Sequence, residues 1–449
     1  MLVARKPVLT LLVAAAAAWA GPKLSWNDGQ SSLEFQQTYQ IWSAYTFDPA
    51  FNSSEDSRLD FMVRRARWTA KGQAMPDVNY QFQIAADALA KDPLSTGVGG
   101  TAQYSNPTSF QALDAFATWT ADTTWANLAV GLFRPVLSRE IATAPTTYVS
   151  LDNSLAYSYL RDFLFTRTTA REGGADLGGF WYSETRALGV GYDVGVFDAS
   201  QEKNSSTLKG SQSWSPLVTG RLSLTVGDPE SKTWKPTFVG TSGGKRKGLT
   251  LAAYGSWQGN TSLYVDSTCA VSKSTASKSG TTTKTVGSYV SSVSSDSSTY
   301  KTTLKYAGGF DLNTVAGADL QAEWAGFVLN AEGAWMHREF SAAQIAQRAV
   351  LSLPKEFDDY VWNVRLAYGF PVAKTIVEPT VSYSQYEGDV NSVLDPDGQD
   401  EQWDVGVNWY PSGAVKVGLH YVGQYGTGTS SYNTSKRDDF YALALQLSL

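Results

Sequence analysis

Five cationic side chains crowd into fourteen residues: Arg58, Arg64, Arg65, Arg67 and Lys71. Guanidinium groups donate paired, planar hydrogen bonds, so such a cluster suits phosphate or carboxylate. The spacing reads as a strand, in which alternate residues share a face. With Ala66, Trp68 and Ala70 on an apolar face, Arg65, Arg67 and Lys71 form a column of cations on the opposite face, repeating about every 7 Å. Arg64 has the wrong parity for that column and needs a β-bulge or a place outside the apolar zone. Charged residues also line any water-filled lumen without selecting a solute, so the spacing alone leaves the cluster's role open.

Other constellations carry less. Gly240-Thr241-Ser242-Gly243-Gly244 fits G-x-S-x-G, but a nucleophile elbow needs a strand before it and a helix after it. Here Lys245-Arg246-Lys247 follows a Gly-rich turn. His337 and His420 stand among aromatics and read as wall or interface residues; two histidines do not make a multi-histidine metal centre. Asp395, Asp397, Asp400 and Glu401 surround Gly398 without the spacing of an EF-hand, which favours a solvated acidic loop. Glu323 and Glu332 could be drawn as a glycosidase pair, although acids lining a lumen explain them with fewer assumptions. The single cysteine, Cys269, excludes an internal disulfide framework and a thiolate zinc cluster. No cofactor is required.

The elements that would position these residues are strands. Trp 15, Tyr 23, Phe 19 and Gly 39 favour strands joined by tight turns. Charged residues make up only 17%, lean for a soluble chain of 449 residues, and 43% hydrophobic content excludes an acidic disordered one. A net charge of -6 leaves no basic footprint for nucleic acid. Residues 1–20 read as a signal peptide: Arg5 and Lys6, a short apolar run from Val8 to Ala18, then Ala18-Trp19-Ala20 before Gly21. That run is too short for a transmembrane helix, and cleavage is expected after Ala20. No later stretch offers eighteen consecutive apolar residues, so the remainder, 21–449, is either soluble or inserted as a barrel.

Alternation recurs along that remainder. Leu188, Val190, Tyr192, Val194 and Val196 occupy every second position, as do Ala318, Leu320, Ala322 and Trp324, and Trp403, Val405, Val407 and Trp409. Period two is a strand with one apolar and one polar face. Tyr441, Leu443, Leu445, Leu447 and Leu449 extend the pattern to the end of the sequence, where outer-membrane barrels usually carry an aromatic residue. Short links at 75–77, 121–124, 184–186, 371–373 and 411–413 alternate with long polar stretches at 46–57, 90–109, 134–173, 259–303, 340–358 and 387–401. Short turns on one side and long loops on the other describe a transmembrane antiparallel β-barrel, all-β, of about sixteen strands. An additional hairpin would fit at 227–247 or within 300–325. A soluble β-sandwich shares the pattern, but charged residues alternating with apolar ones and aromatics near strand ends favour the membrane. Within the exterior stretch 259–303, the Ser/Thr-rich residues 267–303 carry Lys273, Lys278, Lys284 and Lys301 and read either as a weak basic funnel or as a solvated loop.

The strand Met62-Val63-Arg64-Arg65-Ala66-Arg67-Trp68-Thr69-Ala70-Lys71-Gly72 resembles one from the phosphate-selective porins O and P. Val78 to Asp87, Ala115 to Trp119, Val130-Gly131-Leu132-Phe133-Arg134-Pro135 and Gly195-Val196-Phe197 resemble later pieces of the same family, over about 58–200. The resemblance implies a sixteen-stranded, commonly trimeric outer-membrane channel whose third exterior loop, here 134–173, folds inward as a constriction. It places Arg64 and Arg65 among constriction arginines and Arg134 at the family's lysine. Loop residue Arg139 and the column residues Arg67 and Lys71 complete the expected anion-selective set. The departure lies in the inferred lumen acids Asp87, Asp114, Asp193, Asp319, Glu323, Glu332, Glu378 and Asp404, faced mainly by Arg365, Arg338 and Lys416. Passive diffusion of small hydrophilic solutes in the bacterial outer membrane is therefore expected, without enzyme chemistry and with lipid and solute as partners. Phosphate-like anions stand as one candidate, and a non-selective, sugar or cation pore as the alternative. Two further alternatives are a surface-exposed adhesive barrel and a secreted β-sheet carbohydrate-active protein.

Overall fold

The computed structural model describes residues 21–47, 57–89, 110–165, 167, 169–183, 187–199, 210–212, 215–241, 243–259, 263–272, 299–308, 310–340, 355–388, 398–426 and 439–449. The expected signal peptide, Asp395, Asp397 and most of the Ser/Thr-rich stretch lie outside them.

Sixteen long strands close into one barrel. In chain order these are β1 (Ser31–Phe47), β2 (Ser57–Met75), β3 (Val78–Ala85), β4 (Gln111–Asp122), β5 (Ala126–Phe133), β6 (Glu172–Tyr182), β7 (Leu188–Phe197) and β8 (Leu217–Gly227). Then follow β9 (Gly248–Gly259), β10 (Phe310–Trp324), β11 (Phe327–Phe340), β12 (Glu356–Tyr368), β13 (Thr375–Gly388), β14 (Gly398–Ser412), β15 (Val415–Gly426) and β16 (Asp439–Ser448). Each runs antiparallel to its neighbours, and β16 pairs with β1 from Thr38↔Ser448 to Phe47↔Asp439, which closes the ring. Closure leaves no unpaired edge, the condition for strands in hydrocarbon, where no water can satisfy a free N–H or C=O. None of the described helices is long and apolar enough to cross a membrane.

The pleat separates two chemistries. On β7 and β8, Leu188, Val190, Val194, Val196, Leu222, Leu224 and Val226 project outward and are exposed. The inward face of the same strands carries Asp193 and Arg221, both buried within the lumen. Tight turns hold the register on one side. Ala325 (φ 50°) and Gly326 (φ 93°) join β10 to β11 as a two-residue turn under the Trp324↔Phe327 pair, and positive φ at both centres matches the twist of the strands they join.

Neither doubtful stretch adds a further hairpin to the barrel; the second holds β10 itself. Residues Thr299–Gly308 pair with Leu263–Ser272, which pairs with Gly210–Gln212, in a separate three-stranded sheet. The 228–247 connection, on the short-turn side, runs into the lumen as irregular chain. Of the Gly240–Gly244 motif, Ser242 lies outside the described residues, and the described remainder leads to a strand, not to a helix.

The connection from β5 to β6 carries two helices, α1 (Arg139–Ala142) and α2 (Leu155–Leu164). The side chain of Ser154 caps α2 by accepting from the Tyr157 N–H. Leu160, Phe163 and Leu164 on α2, with Leu137 and Ile141 before it, are fully buried against Phe133, Phe197 and Leu217 of the wall. Each such side chain contributes roughly 1.5–3 kcal/mol by leaving water. The barrel interior is thus a packed core on this side.

Candidate functional site

A bulge makes the arginine cluster. Gln40 pairs with Arg65 and Ile41 with Val63, so Arg64 is the extra residue of β2. Before it, Asp60 and Met62 point inward; after it, Arg65 and Arg67 do. The change of parity turns Arg64 and Arg65 to the same side. Both meet Asp152 of the β5–β6 loop, with Arg64 Nη2 2.7 Å from Asp152 Oδ2 and Arg65 donating to Asp152 Oδ1. Burial pushes the Asp152 carboxyl up, but the guanidiniums of Arg64 and Arg65 outweigh it and hold the group below the usual carboxylate range.

The remaining members of the expected set each have partners. Arg67 Nη2 lies 2.8 Å from Asp87 Oδ2, and Lys71 Nζ lies 3.8 Å from Glu34 on the neighbouring strand. Arg134 is buried under the loop, where it donates to the carbonyls of Ile141 (3.3 Å) and Thr143. Burial, then the nearby Arg171, push its guanidinium down to about 10, so it stays cationic at neutral pH. Arg139 stands apart from the cluster. It reaches Asp319 (2.9 Å) and Glu230 (2.8 Å), which hold it well above the ordinary value against the opposing effect of burial. A charge removed from water is tolerated only when paired or hydrogen-bonded, and the loop supplies many of these partners.

The loop crosses the lumen. Beyond α1, Tyr148 offers its carbonyl to Lys416 (2.8 Å) and Val149 its carbonyl to Asn408 (2.7 Å). The Leu151 N–H donates to Asp404 (2.6 Å), and the Leu155 N–H donates to Ser384 (3.2 Å). Glu140 faces Arg365, whose Nη2 lies 3.0 Å from Glu140 Oε2, and that guanidinium also covers the Tyr148 ring at 4.1 Å. From the opposite mouth, 228–247 meets the loop: Phe238 N–H donates to Ala142 O (3.1 Å), and Gly240 N–H donates to Thr147 Oγ1 (2.9 Å). Two inward segments, one from each mouth, therefore join inside the barrel.

The sequence model of the phosphate-selective porin O and P family matches residues 35–228 and 369–449. The chain belongs to that porin family. It is a passive channel of the bacterial outer membrane. No curated protein matches this porin in sequence. Its fold is similar to that of an anion-selective porin from Comamonas acidovorans (TM-score 0.53, 8% identity, 93% of this chain and 100% of that one). It is also similar to the outer-membrane channel DcaP of Acinetobacter baumannii (TM-score 0.51, 11% identity, 96% and 100%) and to Salmonella typhi OmpF in complex with daunomycin (TM-score 0.50, 12% identity, 95% and 100%). At such identities the likeness is one of fold.

The inferred lumen acids hold the inward segments of this porin. Glu323 accepts from the Gly244 N–H (3.1 Å), and Glu332 accepts from Tyr254 (2.7 Å) and from the Glu140 N–H (2.8 Å). Glu378 accepts from Tyr410 at 2.8 Å. His420 lies between Asp404 and Asn408, at 2.6 and 3.0 Å. Reasoning from sequence missed Arg221, which binds Asp319, and placed Arg171 in the loop without foreseeing that it lies 2.7 Å from Asp114. The alternation Leu217, Thr219, Arg221, Ser223 could have revealed Arg221 as a lumen residue; the fit of Arg171 to Asp114 has no signal in the sequence.

Proposed function

We propose that this porin passes small inorganic anions and small carboxylates by preference, through a filter built around Arg64, Arg65, Arg67 and Lys71. One observation carries the reading. Arg64, Arg65, Arg67, Arg134 and Arg171 lie together, and the carboxylates paired with them are Asp87, Asp114 and Asp152, while Arg134 is held by backbone carbonyls. Guanidiniums that outnumber the carboxylates paired with them lower the barrier for an anion where water is scarce. Arg134 and Arg139 act by fixing the loop and by their charge. No covalent step is assigned to any residue.

The test is the reversal potential of single channels in a KCl gradient, followed by titration with phosphate. Anion-selective steps blocked by phosphate support the reading, and non-selective steps discard it. The buried acids Asp176, Asp193, Asp319 and Glu332 on β6, β7, β10 and β11, of which Asp319 is paired with Arg139 and Arg221, favour a second reading, a path for cations along those strands; cation-selective steps would support it. By likeness to the family, the expected assembly is a homotrimer, checked by native mass spectrometry in detergent. Cleavage after Ala20 is checked by the mass of the exported chain.

A further inference from the structure

The exterior ends of β11 and β12 carry a ladder of side chains on the outer face of the barrel. Three successive cross-strand pairs stand there: Trp335↔Tyr360, His337↔Asp358 and Glu339↔Glu356. Met336, Phe340 and the intervening strand residues of the opposite parity turn into the lumen, and Met336 is fully buried. The outer ladder thus passes from aromatic to charged as it approaches the exterior mouth.

Its last rung is two glutamates directly opposite one another, an arrangement that repels unless a cation lies between. Among the described residues, no lysine or arginine forms an ion pair with Glu339, Glu356 or Asp358. One rung below, His337 stands with each nitrogen already directed. Its Nδ1 is 2.7 Å from Asp358 Oδ1, which also accepts from Trp335 Nε1 at 2.8 Å, and the Trp335 and His337 rings stack with centroids 5.3 Å apart. Its Nε2 turns toward Glu339 Oε1 at 3.3 Å. One ligand atom from each of His337, Glu339 and Glu356 lies within 4.8 Å of the others.

We propose that His337 Nε2 and one carboxylate oxygen from each of Glu339 and Glu356 hold a divalent transition-metal ion of the zinc class on the outer face of the barrel. Three chemical facts agree. A nitrogen ligand beside two carboxylates suits zinc better than calcium or magnesium, which take oxygen ligands. Zinc bonds of about 2.0–2.1 Å set tetrahedral ligands about 3.3 Å apart, so the His337–Glu339 separation already fits and a small side-chain turn brings in Glu356. A histidine that ligates through one nitrogen ordinarily donates its other N–H to a carboxylate, the part Asp358 plays here. Asp358 is therefore a positioning residue, and a water completes the shell. This site lies outside the lumen and is independent of the filter.

The experiment uses the full-length barrel in detergent, stripped with chelator, with Cys269→Ser introduced to remove the only thiol. Zinc is titrated calorimetrically, and cobalt is followed by its visible absorption and by quenching of Trp335 fluorescence. The expected result is one ion per chain. His337→Ala and the pair Glu339→Gln with Glu356→Gln should lose binding more than tenfold. Asp358→Asn should keep the cobalt spectrum while weakening affinity about tenfold or more. Heat-modifiable migration of each variant separates lost binding from a lost barrel. No binding by the parent, binding unchanged in the variants, or binding of calcium in place of zinc overturns the assignment.

Discussion

Arg64 reaches Asp152 at 2.7 Å because a bulge in β2 turns Arg64 to the same side as Arg65. Without that extra residue Arg64 would face lipid, and Asp152 would meet one guanidinium instead of two. The bulge thus converts a run of basic residues into a clamp on the loop that crosses the lumen.

Asp152→Asn should release that clamp and leave two guanidiniums without their counter-charge. Larger and noisier single-channel steps with a stronger anion preference are expected in planar bilayers. A variant with parental conductance and selectivity would show that Asp152 does not hold the loop.

Replacing Arg65 and Arg67 together with Ala removes two positive charges and leaves Asp87 without its 2.8 Å partner. The reversal potential in a salt gradient should move toward cations. If it stays where it was, the arginine column takes no part in selectivity.

The loop should stay docked through mild acid. Asp152 titrates below the usual carboxylate range because of Arg64 and Arg65. Its stabilising effect is therefore fully present above about pH 4, its unfolded value, and is lost only as pH falls through the lower folded value. Conductance measured from pH 7 down to pH 4 should show no opening from this group.

Glu140 and Arg365 are both almost wholly buried, with side chains 2% and 1% exposed. Glu140→Gln leaves a buried guanidinium under-compensated, and breaking such a pair costs about 3–5 kcal/mol. The docked loop should become accessible to protease added from the exterior. A second change, Arg365→Gln, should recover part of the loss, as a double-mutant cycle would measure.

Leu443 projects outward from β16 and is 54% exposed. Leu443→Arg should cost about 2–4 kcal/mol if the position lies near the bilayer midplane. The yield of heat-modifiable barrel should fall, and an unchanged yield would move this face out of the lipid.

The strands were legible because a barrel wall has two solvents. Lipid outside and polar lumen inside impose a period of two on every strand, and Leu188 to Val196 or Trp403 to Trp409 display it without any knowledge of neighbours. The alternation of short and long connections follows from the same geometry, so the sequence determined the all-β barrel, its sixteen strands and the family. The parity of Arg64 also marked the place where the register shifts. Partner choice in the lumen was another matter. Asp152 meets β2 across 87 residues of chain, and Glu140 meets Arg365 across 225. Nothing local in either segment specifies those distances. The inward course of 228–247 and its junction with the loop at Phe238 are likewise invisible in the sequence, because irregular chain has no period to read. Only closure of the ring brings these charges together, where low polarity and exclusion of water demand that each carboxylate find a donor.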